Sequence, residues 1–300
     1  MLTIAWSSVY HHPLPANHRF PMEKYSLLPQ QLIYEGTAEQ GNFFAPTPIS
    51  EQNILRVHSA AYWEKLRGCD FTRTEERQSG FPMSPELVHR ERVIAAGTLQ
   101  NALNALEFGC SFNIAGGTHH AYSDRAAGFC LLNDIAIAAG FLLNQSLVKK
   151  ILVVDLDVHQ GNGTAQIFQN EPRVFTFSMH GAHNYPLHKE KSDLDIPLPD
   201  GTSDQEYLAI LTQNLDALLA NIRPEFIFFQ AGVDVLQSDK LGRLGLSVAG
   251  CKARDLLVFS KANSLGIPIA VSMGGGYSED IRIIIEAHAN TFRAARQVFF

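Results

Sequence analysis

Short apolar runs without polar alternation recur along this chain, separated by amphipathic stretches of helical period, and that alternation leaves few folds open. Ile151-Leu152-Val153-Val154 and EFIFFQAG (225–232) are apolar on consecutive residues, as strands covered on both faces must be. LTIAW (2–6), FNIA (112–115), RVFTFSM (173–179) and IPIAVSM (267–273) read as further strands. Between them lie helical segments. Ser84-Pro85 pairs an N-cap with a proline at the first helical position. It opens a helix to about Phe108, with Leu99, Leu103 and Leu106 on one face and Gly109 as its stop. Other helices are predicted over about 133–144, from about Thr164, over 203–222 behind a Ser203/Glu206 capping box, and over about 248–264 and 279–297. Residues 8–83 read as loop-rich, with seven prolines, and GCDFTRTEERQSGFPMS (68–84) reads as a polar loop.

Strands alternating with helices predict an α/β fold: one domain over residues 1–300, with a mainly parallel sheet flanked by helices on both faces. Ligands of such sheets sit beyond the carboxyl ends of the strands. The polar motifs fall there: GGTHH after FNIA, DLDVH after ILVV, AGVD after EFIFFQ and GGGY after IPIAVSM. Four polar clusters at four strand ends are hard to explain as packing.

The chain has 300 residues and a formal net charge of −6, with no lysine- or arginine-rich run longer than Lys149-Lys150. That argues against direct nucleic-acid binding. No stretch of about 18 apolar residues is present, so no membrane span is expected. The opening MLTIAWSSVYHHP lacks the basic start and apolar run of a secretory leader. Cys69, Cys110, Cys130 and Cys251 form no CxxC pair and read as reduced thiols of a cytoplasmic protein.

DLDVHQGNG (155–163) places two aspartates and a histidine directly behind a buried strand, which is costly without a compensating partner. Side chains at i and i+2 of an extended segment point the same way, so Asp157 and His159 project together, with Asp155 deeper on that side. Asp234 ends another strand. Two carboxylates and one imidazole match the three-ligand set of a catalytic zinc site, which keeps a position open for water or substrate. A solvated Asp/His turn is the bland alternative, and Asp234 at a second strand end weighs against it. His119 and His120 are suited to be a general base and acid and an electrostatic partner, and Tyr277 could donate to a developing oxyanion. No GxxxxGKS supports a phosphate loop.

GGTHHA, GFCLLND (128–134), DLDVHQGNGT, AGVDVLQSDKLGRLGLS (232–247) and GGGY together resemble the histone deacetylase superfamily, in that family's order. HQGNG and DKLGRLGLS look most like its class IV branch and bacterial relatives. The resemblance spans nearly the whole chain, most strongly 113–180 and 226–280. It implies Asp157, His159 and Asp234 as zinc ligands, His119 and His120 as the catalytic pair with His120 nearer the base and acid role, and Tyr277 as the carbonyl-polarising group. Asp155 and Asn162 would orient the two histidines. Gly128, Phe129, Tyr185, Leu241, Gly275 and Gly276 would line an acyl-lysine tunnel, with Tyr185 facing Phe129. A structural K+ or Na+ would sit among Asp155, Asp157, His159, Ser178 and Met179. Many members carry aspartate where this chain has Asn162, which implies a less basic His120 here.

The activity implied is zinc-dependent removal of an acyl group from Nε-acyl-lysine. The substrate would be a peptide or protein, or alternatively a small acylated amine such as an acetylpolyamine, for which Glu75, Glu76 and Asp124 are the candidate rim carboxylates. Fe2+ suits the same donor set as Zn2+. A two-manganese ureohydrolase is disfavoured because Val235-Leu236 follow Asp234 and the next aspartate is Asp239. A non-enzymatic acyl-binding regulator is disfavoured because every catalytic position is filled. His12 and His18 are expected near the mouth, and His180 and His183 near the rim, none as a ligand. Oligomeric state is not legible.

Overall fold

The run Ile151–Asp155 is β4, and every one of its residues is buried in the computed structural model, which describes residues 1–300. Its alternating side chains enter two different cores. Ile151 and Val153 pack with Phe226, Phe228 and Ala270 under helix α6 (Asp134–Asn144). Leu152 and Val154 belong to the larger core with Phe229, Phe259 and Phe292, under α9 (Val248–Ser264) and α10 (Ile281–Phe299). A strand read as apolar on both faces is therefore apolar because both faces carry a helical layer.

Eight strands form one all-parallel sheet in the order β2-β1-β3-β8-β7-β4-β5-β6. They are β1 (Ile4–Ala5), β2 (Phe43–Phe44), β3 (Cys110–Asn113), β4, β5 (Val174–Gly181), β6 (Leu194–Leu198), β7 (Phe226–Gln230) and β8 (Ile269–Ser272). Of these, β3, β8, β7 and β4 are consecutive neighbours, so the four polar motifs of the sequence leave the sheet side by side. Register keeps their ends level: Asp155 pairs with Gln230, Gln230 with Ser272, and Ser272 with Asn113.

The long helix α5 (Pro85–Phe108) starts where Ser84 accepts from the Leu87 N–H and ends at Gly109, whose φ is positive. Helix α8 (Asp204–Ile222) opens on the Ser203/Glu206 capping box. The buried stripe of α5 is not the leucine stripe expected from the sequence. Leu106 is exposed, Leu99 and Leu103 are half-buried, and Ala95, Thr98, Ala102 and Ala105 face inward, small residues that let the helix lie close to β3 and β8.

Residues 8–83 are more ordered than expected. They hold α1 (Lys24–Tyr34), α2 (Glu51–Ile54), α3 (Ala60–Arg67) and α4 (Arg73–Ser79). Pro29 sits inside α1, and α4 lies within the expected polar loop. It is too short and polar to show an apolar period, and its order comes from the Thr72/Glu75 capping box. Strand β6 was hidden by Asp195 and Pro197, residues tolerated at a sheet edge. No helix is long and apolar enough to cross a membrane.

Candidate active site

The turn after β4 and the end of β7 bring Asp157, His159 and Asp234 together, each buried, with one donor atom of each within 4.8 Å of the others. His159 Nδ1 lies 3.0 Å from Asp157 Oδ1 and 3.1 Å from Asp234 Oδ2. The remaining carboxylate oxygens are held from behind. The Val158 N–H donates to Asp234 Oδ1 at 2.9 Å and the Gly275 N–H to Asp157 Oδ2 at 2.9 Å. Burial disfavours the His159 imidazolium, but the two carboxylates outweigh it and lift its pKa to about 10. Burial and the Asp157 charge push Asp234 up to about 7. Against its own burial, His119 and His159 hold Asp157 well below the usual range. Two buried carboxylates that keep a proton on the imidazole between them are a site for a cation, and this Asp2His set fits a divalent metal.

The loop after β3 carries the tandem histidines, and its shape needs glycine at Gly117. That residue is left-handed, and a Cβ there would collide with the Gln230 side chain, whose Nε2 donates to the Gly117 carbonyl at 2.8 Å. Asp134, buried at the start of α6, accepts from the Gly117 N–H at 3.0 Å and the Thr118 N–H at 2.8 Å. Asp134 is the terminal aspartate of GFCLLND, and its part in shaping this loop is visible only in three dimensions. His119 Nδ1 lies 2.6 Å from Asp155 Oδ2, and the His119 and His120 rings are 4.1 Å apart. Burial opposes charge on His119, yet Asp155 and Asp157 raise it to about 9. His120 goes the other way: burial, then positive His119 and His159, hold it well below its ordinary value. Its Nδ1 donates to Asn162 Oδ1 at 2.7 Å. The pair therefore divides into a charged histidine beside a carboxylate and a neutral one beside an amide.

The GGGY turn follows β8. A Cβ at Gly275 would collide with Asp234 Oδ2, so only glycine lets this backbone lie against the acidic pair. The Tyr277 N–H donates to Asp239 Oδ2 at 2.6 Å. Burial and the Asp234 and Asp157 charges push the Tyr277 phenol well above its usual range, so it remains a donor. A small cavity of about 40 Å³ is shared by His119, His120, Asp157, His159, Gly275 and Tyr277.

Phe129 lines this cavity, whereas Tyr185 packs against His120 and His159 rather than against Phe129. The Phe129 ring lies 5.4 Å from that of Phe20 and 6.1 Å from that of Tyr277. Tyr185 stands edge-on to His120 at 4.8 Å and against Gly128, whose missing side chain leaves room for both rings. Asn184 Nδ2 donates to the Leu241 carbonyl at 2.7 Å, tying the Tyr185 loop to the Leu241 loop. Phe20 and Phe81 pack on Phe129, and Lys24 lies over the Tyr277 ring; all three come from the proline-rich first segment, where no periodicity marks them. His18 stacks on Phe81, and with His12 it lines a groove of about 880 Å³ that runs past Leu241 to Tyr277. Of the expected rim residues, His183 is exposed, whereas His180 is buried in β5.

Ser178 pairs with Asp155 across β4 and β5, and Gly276 follows Gly275 in the turn, so the residues proposed for a monovalent cation and for the tunnel floor are adjacent to the acidic cluster. The Ser178 hydroxyl engages His180 Nδ1 at 2.9 Å.

A histone deacetylase domain model matches residues 18–293, more than nine-tenths of the chain. The chain belongs to the histone deacetylase family. It is 41% identical over 295 residues to an uncharacterized protein of Picosynechococcus, covering 97% of this chain and 98% of that one. It is 29% identical over 286 residues to histone deacetylase 2 of Arabidopsis thaliana, covering 92% of this chain and 74% of that one. In fold it is similar to the crystal structure of a histone deacetylase homologue from Aquifex aeolicus. The TM-score is 0.84 at 23% identity, over 98% of this chain and 84% of that one. The chain is thus a deacetylase-family hydrolase with the family's parallel-sheet fold.

Proposed function

We propose that this deacetylase-family hydrolase is a zinc-dependent amidohydrolase that removes an acyl group from Nε-acyl-lysine in a peptide or protein. The observation that carries the reading is the meeting of the tandem histidines, Asp157, His159 and Tyr277 around one cavity, with Asp234 completing the donor set of Asp157 and His159. A divalent cation held by the three ligands would polarise the amide carbonyl and acidify a water. Zn2+ is the proposed ion, with Fe2+ as the competitor that metal analysis distinguishes, and K+ or Na+ the proposed structural ion among Asp155, Asp157, His159, Ser178 and Met179.

The chain's own residues supply the rest. Neutral His120, with its hydrogen on Nδ1, offers Nε2 to take a proton from water and later return it to the departing lysine amine. His119, charged beside Asp155, favours negative charge in its vicinity. Tyr277, kept protonated, donates to the oxygen on which charge develops. Phe20, Phe129 and Tyr185 offer apolar faces to the aliphatic part of the substrate.

A small acylated amine is the second reading, and the carboxylates that would have favoured it are engaged elsewhere. Glu75 pairs with Lys65 at 2.5 Å and caps α4, Glu76 accepts from the Met83 N–H at 3.0 Å, and Asp124 pairs with Arg125 at 2.9 Å. The deciding experiment is turnover by zinc-loaded protein on acetyl-, butyryl- and myristoyl-lysine peptides beside acetylputrescine and acetylspermidine, with Tyr277→Phe as blank. Peptide turnover lost in the blank supports the proposal and ranks acyl length. Polyamine turnover alone replaces it with the second reading. Binding without turnover of any substrate points to a non-enzymatic acyl-binding regulator.

A further inference from the structure

Gln160 and Asn162, two residues apart in HQGNG, converge on Glu190 by separate routes. Gln160 is buried. Its Nε2 donates to the Glu190 carbonyl at 2.7 Å and its Oε1 accepts from the Glu190 N–H at 2.9 Å, which pins that backbone beside the strand-end turn. Asn162 reaches the Glu190 side chain through Tyr122. Asn162 Nδ2 donates to the Tyr122 hydroxyl at 2.8 Å, and that hydroxyl donates to Glu190 Oε1 at 3.3 Å. The Arg125 guanidinium lies 3.5 Å from the Tyr122 ring centroid and holds the ring from its face.

Hydrogen-bond direction along this chain is forced. An ionised carboxylate only accepts, so the Tyr122 hydroxyl directs its hydrogen to Glu190 and presents a lone pair to Asn162. That lone pair selects the amide NH2 of Asn162 and turns its carbonyl oxygen to His120. A carbonyl oxygen only accepts, so His120 must carry its hydrogen on Nδ1 and leave Nε2 bare. An aspartate at this position would need no such help, because its two oxygens are alike. An asparagine has a donor end and an acceptor end, and something outside it must choose between them.

We propose that Glu190, acting through Tyr122 and Asn162, fixes the tautomer of His120, which makes Tyr122 and Glu190 positioning residues for the reaction. This rests on the reading of His120 as the base. Neither residue touches the cavity, so their removal acts on proton transfer and leaves substrate binding unaltered.

The test uses zinc-loaded full-length protein, wild type against Tyr122→Phe, Glu190→Ala and Glu190→Gln. Steady-state kinetics on an acetyl-lysine peptide are paired with long-range 1H–15N correlation spectra of 15N-histidine-labelled protein, His120 being assigned by its loss in His120→Gln. Phenylalanine keeps the ring under Arg125, and Gln160 holds the Glu190 backbone in every variant, so folding is preserved. Wild type should show a protonated Nδ1 and a bare Nε2 at His120. Tyr122→Phe and Glu190→Ala should each lower kcat by about tenfold with KM within about twofold, and move both ring nitrogens toward averaged shifts. Glu190→Gln, whose side-chain oxygen still accepts from Tyr122, should recover most of the loss. The double variant should be no worse than Tyr122→Phe alone, because both act through one chain. A wild-type His120 protonated on Nε2, or unmoved nitrogen shifts in Tyr122→Phe and Glu190→Ala, overturns the proposal whatever the rates do. An inactive wild type with the expected tautomer shift would instead overturn the functional reading and leave the relay standing.

Discussion

The ammonium of Lys24, on α1, donates to the carbonyl of Gly274 at 2.9 Å across 250 residues of sequence. It is wholly buried and sits over the rings of Phe20, Tyr25 and Tyr277 at 5.2, 5.4 and 5.9 Å. Burial lowers its pKa, to about 8, against the pull of Asp234 and Asp157. A lysine so placed anchors the turn that carries Gly275 and Tyr277 and offsets part of the negative charge of the acidic cluster.

Replacing it with methionine keeps the volume but removes the donor from the partly buried Gly274 carbonyl, a loss of about 1 kcal/mol. Lys24→Met should therefore fold with a Tm lower by a few degrees, and its kcat should fall about tenfold as Tyr277 loses its backing. An unchanged kcat alongside a lowered Tm would show that the anchor serves stability only.

Asn162→Asp should move the acidic limb of the kcat/KM pH profile upward by about one pH unit. The added carboxylate stabilises the His120 imidazolium and raises its pKa, and the base works only when neutral, so activity is lost at a higher pH on acidification. The basis is the uncharged Asn162 partner of His120, a histidine whose burial and the charge on neighbouring His119 hold its pKa down. An acidic limb that stays in place would show that another group sets it.

Legibility in the sequence followed the physics of each segment. The strands β3, β4, β7 and β8 were readable because burial on both faces leaves unbroken apolar runs, and their polar ends pointed directly to the site. Phe20 and Lys24 were not readable, because α1 gains its order from tertiary contacts and carries Pro29 within it. The same holds for the Tyr122–Glu190 contact, which joins residues 68 positions apart with no periodicity to announce it. Leu106 misled in the opposite sense: a leucine at helical spacing from Leu99 and Leu103 stands at the solvent because the close approach of α5 to the sheet selects alanines instead.

Metal uptake should release protons. In the metal-free centre Asp157 and Asp234 hold a proton on His159, whose pKa stands at about 10, and a divalent cation must displace it. Apparent zinc affinity should therefore rise with pH by about tenfold per unit between roughly pH 7 and 9, and more steeply below pH 7, where Asp234 also takes up a proton. Calorimetric titration in buffers of different ionisation enthalpy counts the protons released. Asp234→Asn should weaken binding by at least about a hundredfold by removing one of three ligands. Affinity that is flat with pH, or intact in Asp234→Asn, would place the ion elsewhere.

His58 links acid stability to the loop that carries the tandem histidines. Its Nε2 accepts from the Asn133 N–H at 3.0 Å, and Asn133 in turn caps α6 and donates to the Ala121 carbonyl at 3.1 Å. Burial lowers the His58 pKa to about 4 from an ordinary value of 6.5, so the folded state resists a proton that the unfolded chain accepts. Between pH 6.5 and 4 the unfolded state binds more protons, so stability falls as pH falls, by about 3 kcal/mol across that window from this residue. His180, held down to about 4 chiefly by its own burial, adds in the same direction. Glutamine at position 58 can present an acceptor to Asn133 but does not titrate. Denaturant unfolding at a series of pH values should thus show a shallower pH dependence for His58→Gln than for wild type between pH 4 and 6.5, with the share due to His180 remaining. Parallel curves for the two proteins would mean that His58 already accepts its proton in the folded state, and that its contact with Asn133 is not what acid breaks.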